Sequence, residues 1–170
     1  MTEKLELKST LSVNDAGEIT GTAWPWGEPD NAGDTIQKGA FSLAVENLPM
    51  LFGHDPSDLV GSWNEATETP DGFVVKGKLH MANARARAVH GLIKGGLVTG
   101  LSIGFKTKTA TKQGRGRVIS ALDLFEISVV RNPSHPRARI ISAKHFDSAS
   151  HVAVAEAINR ATAAQLSKGN

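Results

Sequence analysis

Hydrophobic and polar residues alternate over several stretches of this chain, the pattern expected for β-strands that bury one face. The turn residues of Asn14–Gly17 and Pro70–Gly72 separate neighbouring stretches, as turn residues do in hairpins. About six or seven strands are predicted. They lie at residues 5–13, 18–26, 60–63, 72–80, 98–109, 117–130 and 139–141.

Three other segments carry apolar residues at helical spacing. They predict a short helix over 36–48 that ends before Pro49, a helix over 82–93 that ends at Gly95, and an alanine-rich helix over 150–166. Strands and helices do not alternate regularly, which argues against a doubly wound parallel sheet. We therefore predict an α+β fold, a closed or nearly closed β-barrel of mainly antiparallel strands surrounded by helices.

Composition narrows the class of protein. The chain has 170 residues, of which 40% are hydrophobic and 21% charged, and this balance is typical of one globular domain. It has no cysteine, so a disulfide framework, a thiol nucleophile and a thiolate metal site are excluded. No apolar run approaches the roughly 20 residues that span a bilayer, and the N-terminus has no secretory core. We expect neither export nor a membrane anchor.

Charge adds one local feature. The net charge of +2 indicates no particular partner, but the segment 106–117 gathers five cations around glycines. Such a segment could hold phosphates or an acidic partner, or it could be a hairpin tip whose cations keep exposed strands soluble. It has no aromatic residue on which a base could stack, so nucleic-acid binding is not favoured.

The first candidate for chemistry is Ser102, in the sequence Gly100-Leu-Ser102-Ile-Gly104. This spacing fits the nucleophile elbow of α/β-hydrolases, but an elbow leads into a helix and here an alternating, strand-like run follows. The hydrolase interpretation therefore fails. Two interpretations stay open: a nucleophile whose flanking glycines let backbone or substrate approach the hydroxyl, or a small residue in a crowded strand.

A serine nucleophile needs a base, most often a histidine. Of the six histidines, His54 alone stands at an irregular break, between an apolar approach and the sequence Asp55-Pro56. A metal site on His54, Asp55 and Asp58 matches no strong zinc spacing, so we expect no metal and no cofactor.

A third candidate is Glu126, which lies inside the apolar run 122–130. An unpaired charge there would be costly, so an imidazolium or an arginine is expected beside it, unless the carboxylate is simply exposed on a half-solvated strand face. Asp123 is the reserve candidate.

Taken together, four segments closely resemble the tailed-phage prohead protease family, whose members are related in fold to the herpesvirus assembly proteases. They occur in the family's order between about residues 20 and 140. The segments are Gly33–Phe41, Leu51–Asp55 followed by Val60-Gly61, Gly96–Phe105, and Phe125–Val130 with Asn132–Ala138.

The resemblance implies a herpesvirus-protease-like barrel and a catalytic triad. His54 would be the general base, Ser102 the nucleophile and Glu126 the third member, where the herpesvirus enzymes have a histidine. The oxyanion hole would fall at Arg131 and Asn132, although the loop there is shorter and rich in proline.

The resemblance also implies a biological role. Such an endopeptidase cleaves scaffold, or the scaffold-like N-terminal segment of the major capsid protein, and often itself, inside the procapsid in the host cytoplasm. We predict a protease domain over 1–145 and a helical tail over 146–170. Activation of herpesvirus relatives by dimerisation raises the option of a homodimer. The competing hypothesis is a catalytically idle assembly module that binds capsid protein.

Overall fold

The computed structural model describes residues 12–140. The predicted helix over 150–166 and the predicted domain boundary at 145 lie outside these residues, as does most of the first predicted strand. Nine strands and one helix form within them. The strands are β1 (Ser12–Val13), β2 (Glu18–Pro25), β3 (Thr35–Ile36), β4 (Leu48–Phe52), β5 (Asp55–Glu68), β6 (Gly72–Leu79), β7 (Gly100–Gln113), β8 (Gly116–Val130) and β9 (Arg139–Ile140), and the helix is α1 (Ala84–Lys94).

Seven strands close into a barrel. Hydrogen bonds connect them in the order β2, β6, β5, β4, β8, β7 and β9, and β9 pairs again with β2. Most pairs are antiparallel, but β4 and β3 each run parallel to β8, so the barrel is mixed. The prediction of a closed β-barrel is confirmed.

Side-chain alternation along the strands fills the barrel. On β8, Ile127 and Val129 are fully buried in the hydrophobic core, whereas Glu126 and Ser128 belong to the opposite strand face. Trp63 of β5 is also fully buried, and its indole N–H donates to the carbonyl of Ile127 over 3.0 Å. Burying a side chain such as isoleucine or valine contributes roughly 1.5–3 kcal/mol, which favours the orientation of β8 that buries Ile127 and Val129. The alternate residues of β8 then face outward.

The prediction of an α+β fold with helices around the barrel is wrong for residues 12–140, where α1 is the one helix. This helix confirms the segment predicted over 82–93. Its N-cap is Asn83, whose side chain accepts the N–H of Arg85 over 2.8 Å, and it ends at Gly95. No helix within residues 12–140 is long and apolar enough to cross a membrane.

The helix predicted over 36–48 is also wrong. Ala40 and Val45 in this segment are buried, but the backbone passes through successive turns instead of a helix. Gly39 adopts φ +85°, which an α-helix does not allow, and its N–H donates to the carboxylate of Glu68 over 2.8 Å. Tertiary contacts thus satisfy this backbone and bury the same side chains.

Candidate active site

A tight turn between β4 and β5 carries His54. Gly53 and His54 form the turn, because Phe52 and Asp55 pair directly across the hairpin. Both turn residues have φ of +61°, and positive φ at both central positions is the requirement of a type I′ turn. Gly53 adopts it without cost, whereas a histidine does so uncommonly. His54 is therefore held in a sharply defined place at the end of the hairpin.

Two hydrogen bonds attach this turn to β8. The N–H of Gly53 donates to the carbonyl of Val129 over 3.0 Å, continuing the parallel pairing of β4 with β8. The N–H of His54 donates to the hydroxyl oxygen of Ser128, also over 3.0 Å. The imidazole consequently projects from a backbone that is fixed against the outer face of β8.

The side chains of His54 and Glu126 are joined by a hydrogen bond. The imidazole Nδ1 lies 2.5 Å from Glu126 Oε1, and the hydroxyl of Ser128 donates to Oε2 over 2.7 Å. A carboxylate can only accept these hydrogen bonds, so Nδ1 carries the proton and Nε2 is left to accept another. The side chain of Glu126 is 13% exposed and that of His54 is 43% exposed, so the ring turns one edge to solvent.

Ser102 lies on the same strand face as this pair. It is directly opposite Ser128 in the antiparallel pairing of β7 with β8, and the next rung pairs Gly104 with Glu126. The side chain of Ser102 is buried, and its hydroxyl oxygen lies 3.1 Å from that of Ser134. Among the described residues no hydrogen bond joins Ser102 to His54. The fold thus gathers the three predicted residues on one face while the serine contacts another partner.

Gly104 makes room for the carboxylate. A Cβ atom at this position would overlap the carboxyl group of Glu126, which lies over the glycine. Gly100 is covered in the same way, because a Cβ there would be 2.8 Å from Cδ of Pro133. The interpretation that the flanking glycines admit backbone or substrate to Ser102 is therefore wrong for Gly104, where a carboxylate of the protein takes the space.

The other predicted acids lie apart from this cluster. Asp123 is exposed, and its carboxylate lies 3.0 Å from the ammonium group of Lys108. Asp58 accepts from Arg85 over 2.8 Å. Asp55 accepts from the hydroxyl and the N–H of Ser57, and these bonds lower the pKa of its carboxyl group. Nowhere in residues 12–140 do three His, Cys, Asp or Glu side chains come together as metal ligands would.

A loop over residues 131–138 follows β8 and covers Ser102. The predicted oxyanion residues Arg131 and Asn132 begin this loop and are exposed. Pro133 packs over Gly100, and Ser134 then contacts the Ser102 hydroxyl. The residues predicted to stabilise an oxyanion therefore lie directly after the strand that carries Glu126.

His135 anchors the base of this loop. Only 1% of its surface is exposed, and Nε2–H donates to the carbonyl of Glu28 over 3.0 Å. Nδ1 accepts the N–H of Arg137 over 3.2 Å, and the ring meets Trp24 edge to face with centroids 4.9 Å apart. Burial lowers the pKa of His135, so the neutral imidazole is the stable form.

Sequence reasoning missed Ser128 and Ser134. Ser128 has a signal that could have been used, since it stands two residues after Glu126 and therefore on the same strand face, between two apolar core positions. A fully buried hydroxyl in such a run needs a hydrogen-bond partner. Ser134 lies in an irregular loop, where no periodicity relates it to Ser102.

Comparisons with known proteins found sequences similar to this chain. The sequence pattern of the family described as Caudovirus prohead serine protease matches residues 3–152. A protein named capsid polyprotein, from Pseudomonas phage PAJU2, is 33% identical over 153 residues. The match covers 82% of this chain but 22% of that polyprotein, so the chain spans about a fifth of its relative's length. No solved structure matches the chain significantly.

Proposed function

The chain belongs to the Caudovirus prohead serine protease family, and we propose from this that it is a serine endopeptidase of phage head maturation. The observation that carries the proposal is the 2.5 Å contact between His54 Nδ1 and Glu126 Oε1, on the strand face that also bears Ser102. A histidine oriented by a carboxylate beside a serine is the arrangement that activates a hydroxyl for acyl transfer.

In the proposed mechanism Ser102 attacks a peptide carbonyl and His54 accepts its proton at Nε2. Glu126 keeps the proton on Nδ1 and stabilises the imidazolium that forms. His54 then protonates the leaving amine, and water hydrolyses the acyl-enzyme. The hydroxyl of Ser102 must direct its proton to Nε2 before attack; its oxygen lies 3.1 Å from that of Ser134, and either hydroxyl can be the donor in that contact.

Ser128 is proposed as a positioning residue for this step. It accepts the backbone N–H of His54 and donates to Glu126, so one hydroxyl sets both the turn and the carboxylate. Backbone N–H groups at Arg131 and Asn132 are the proposed oxyanion donors, because the loop that begins there passes over Ser102. One such donor typically contributes about 2.7–4 kcal/mol to transition-state binding.

The proposed substrate is a capsid component. Cleavage of scaffold, or of a scaffold-like N-terminal segment of the major capsid protein, would fit the family, and the name of the phage relative supports a capsid protein as the target. The proposed place of action is the procapsid in the host cytoplasm. Self-cleavage, a homodimer and a helical tail over 146–170 stay predictions.

Mass spectrometry of the co-expressed cognate capsid protein tests the proposal. Wild-type chain should produce one defined N-terminal truncation, and Ser102→Ala should produce none. Ser120→Ala is the matched control, since Ser120 is an exposed serine of β8 and its loss should leave the truncation intact. Equal truncation by wild type and Ser102→Ala would remove Ser102 from the mechanism. No truncation by any variant would favour the idle assembly module.

A further inference from the structure

An open groove lies beside the His54 turn. Its volume is about 490 Å³. It runs between helix α1 and the ends of β4 and β8. The residues that line it are Phe52, Gly53, Arg85, Leu92, Val130 and Arg131. Gly53 is the chain neighbour of His54, so the groove reaches the residue proposed as the general base.

Strand register relates this groove to the nucleophile. The outward rungs of the β7–β8 pair are, in order, Gly104 with Glu126, Ser102 with Ser128, and Gly100 with Val130. Val130 is therefore the next outward position after the rung of Ser102, about 7 Å along the strand. An extended peptide covers the same distance in two residues.

The walls of the groove are apolar and fixed. Phe52 of β4 and Leu92 of α1 both line the groove, and both are partly buried against the hydrophobic core. The guanidinium of Arg85 lies 4.9 Å from the centre of the Phe52 ring and is held by the carboxylate of Asp58. Arg85 thus lines the groove as an ion-paired cation beside the apolar side chains of Phe52, Leu92 and Val130.

We propose that this groove is a specificity site that binds a large apolar side chain of the substrate, such as leucine, methionine or phenylalanine. The side chain would belong to a residue within two positions of the scissile bond, because the groove lies one rung from Ser102. This inference rests on the proposed protease function. An apolar site discriminates by about 10- to 100-fold between a fitting side chain and a smaller one.

A peptide library from a tryptic digest of a bacterial proteome tests the inference. The full chain is incubated with the library, and the new termini are sequenced by mass spectrometry. We expect enrichment of leucine, methionine or phenylalanine at one position within two residues of the cut. Leu92→Trp, which fills the groove, should shift this preference to alanine or serine and reduce cleavage of the favoured peptides at least 10-fold.

Lys94→Trp is the matched control. Lys94 lies two residues along α1 from Leu92 and therefore on the opposite side of the helix, so the same bulky residue there should leave the preference unchanged. Thermal unfolding of both variants checks that the helix is intact. The wild-type profile tests the proposal without any variant.

The outcomes separate the two proposals. Cleavage that depends on Ser102 but shows no apolar preference within two residues of the cut would overturn the specificity site and keep the protease. Absence of any cleavage that Ser102→Ala abolishes would overturn the protease, and the specificity site with it. A Leu92→Trp variant with unchanged preference and an altered oligomeric state would identify a second copy of this chain as the occupant, against the proposal.

Discussion

The two halves of the candidate site are built differently. In the half that carries the proposed base, His54, Glu126 and Ser128 are joined by three hydrogen bonds, two between the tight turn and β8 and one within β8. In the half that carries the nucleophile, Ser102 lies on an equally regular strand, but its hydroxyl is paired with Ser134 of the loop 131–138. The proposed base is therefore oriented by the barrel, whereas the proposed nucleophile contacts a loop.

This difference assigns separate tasks to the barrel and the loop. Strand register and a turn fix the imidazole and its carboxylate, which is the preorganisation that proton transfer requires. The hydroxyl of Ser102, by contrast, contacts Ser134 of the loop that also begins with Arg131 and Asn132. Substitutions around His54 and Glu126 should therefore reduce the rate of catalysis. Substitutions in the loop should change how readily the Ser102 hydroxyl reaches His54.

The largest effect is expected for Glu126→Gln. An amide can donate to Nδ1 as well as accept, so the histidine loses its enforced tautomer and its imidazolium loses the balancing charge. We expect kcat/KM to fall by about 10²–10⁴-fold, measured with the peptide identified from the capsid truncation. Asp123→Asn is the control, because Asp123 is exposed and paired with Lys108. A greater loss with Asp123→Asn would make Asp123 the third member of the triad.

The next largest effect is expected for Gly104→Ala. The new methyl group would occupy the place of the Glu126 carboxylate and push it away from His54. Displacement of a catalytic group by about 1 Å costs on the order of 100-fold, so kcat/KM should fall by about that factor. Gly91→Ala is the control, since nothing lies within 4 Å of a methyl group at that position. An unchanged rate in a folded Gly104→Ala protein would show that Glu126 is not needed where it lies.

A smaller loss is expected for Ser128→Ala. The variant removes a donor to the Glu126 carboxylate and the acceptor of the His54 N–H, and a hydrogen bond to a charged group contributes about 1.5–3 kcal/mol. We expect kcat to fall at least about 10-fold with little change in KM. The proton resonance of His54 Nδ1–H should also shift, which a purely structural defect elsewhere would not produce. Ser120→Ala should change neither quantity.

Much of the barrel follows from the sequence because alternation is a local property. The strands around Ser102 and Glu126 were predicted from it, and the break that carries His54 was visible as an interruption of the pattern. The helix over 36–48 failed because burial of Ala40 and Val45 is equally compatible with turns, once Gly39 takes a positive φ. Periodicity reports which side chains are buried but not which backbone buries them.

The contacts within the site could not be predicted, because they depend on strand register. Glu126 lies opposite Gly104 only because the pairing shifts between Gly104 and Phe105, where β8 has an extra residue. That irregularity also turns Phe125 outward, with 57% of its surface exposed. The contact of Ser134 with Ser102 comes instead from the irregular loop 131–138, whose path no periodicity predicts.

Ser134→Ala tests the second half of the comparison and should have a weak effect of opposite sign. The variant releases the Ser102 hydroxyl from a neutral hydrogen bond, which contributes about 0.5–1.5 kcal/mol. If this bond must break before attack, kcat/KM should rise, by roughly two- to threefold at the lower end of that range. A loss of more than tenfold would instead give Ser134 a direct part in catalysis.

The smallest expected effect is a pH dependence of stability. It comes from His135, which anchors the loop 131–138. Burial lowers the pKa of this imidazole, so the unfolded chain binds a proton more readily than the folded one. Its contribution to stability is therefore complete above the ordinary pKa of about 6.5 and decreases as pH falls below it, by at most about 1.4 kcal/mol per pH unit.

Thermal unfolding at pH 7.5 and 5.5 measures this contribution of His135. His135→Gln should reduce the loss of Tm between the two pH values, whatever its effect on Tm itself, whereas His80→Gln, at an exposed position after β6, should not. Since protonation would also break the bond that His135 accepts from Arg137, acid should loosen the loop before the barrel. If wild type and His135→Gln lose the same amount of Tm between the two pH values, protonation of His135 does not cause the acid sensitivity of the protein.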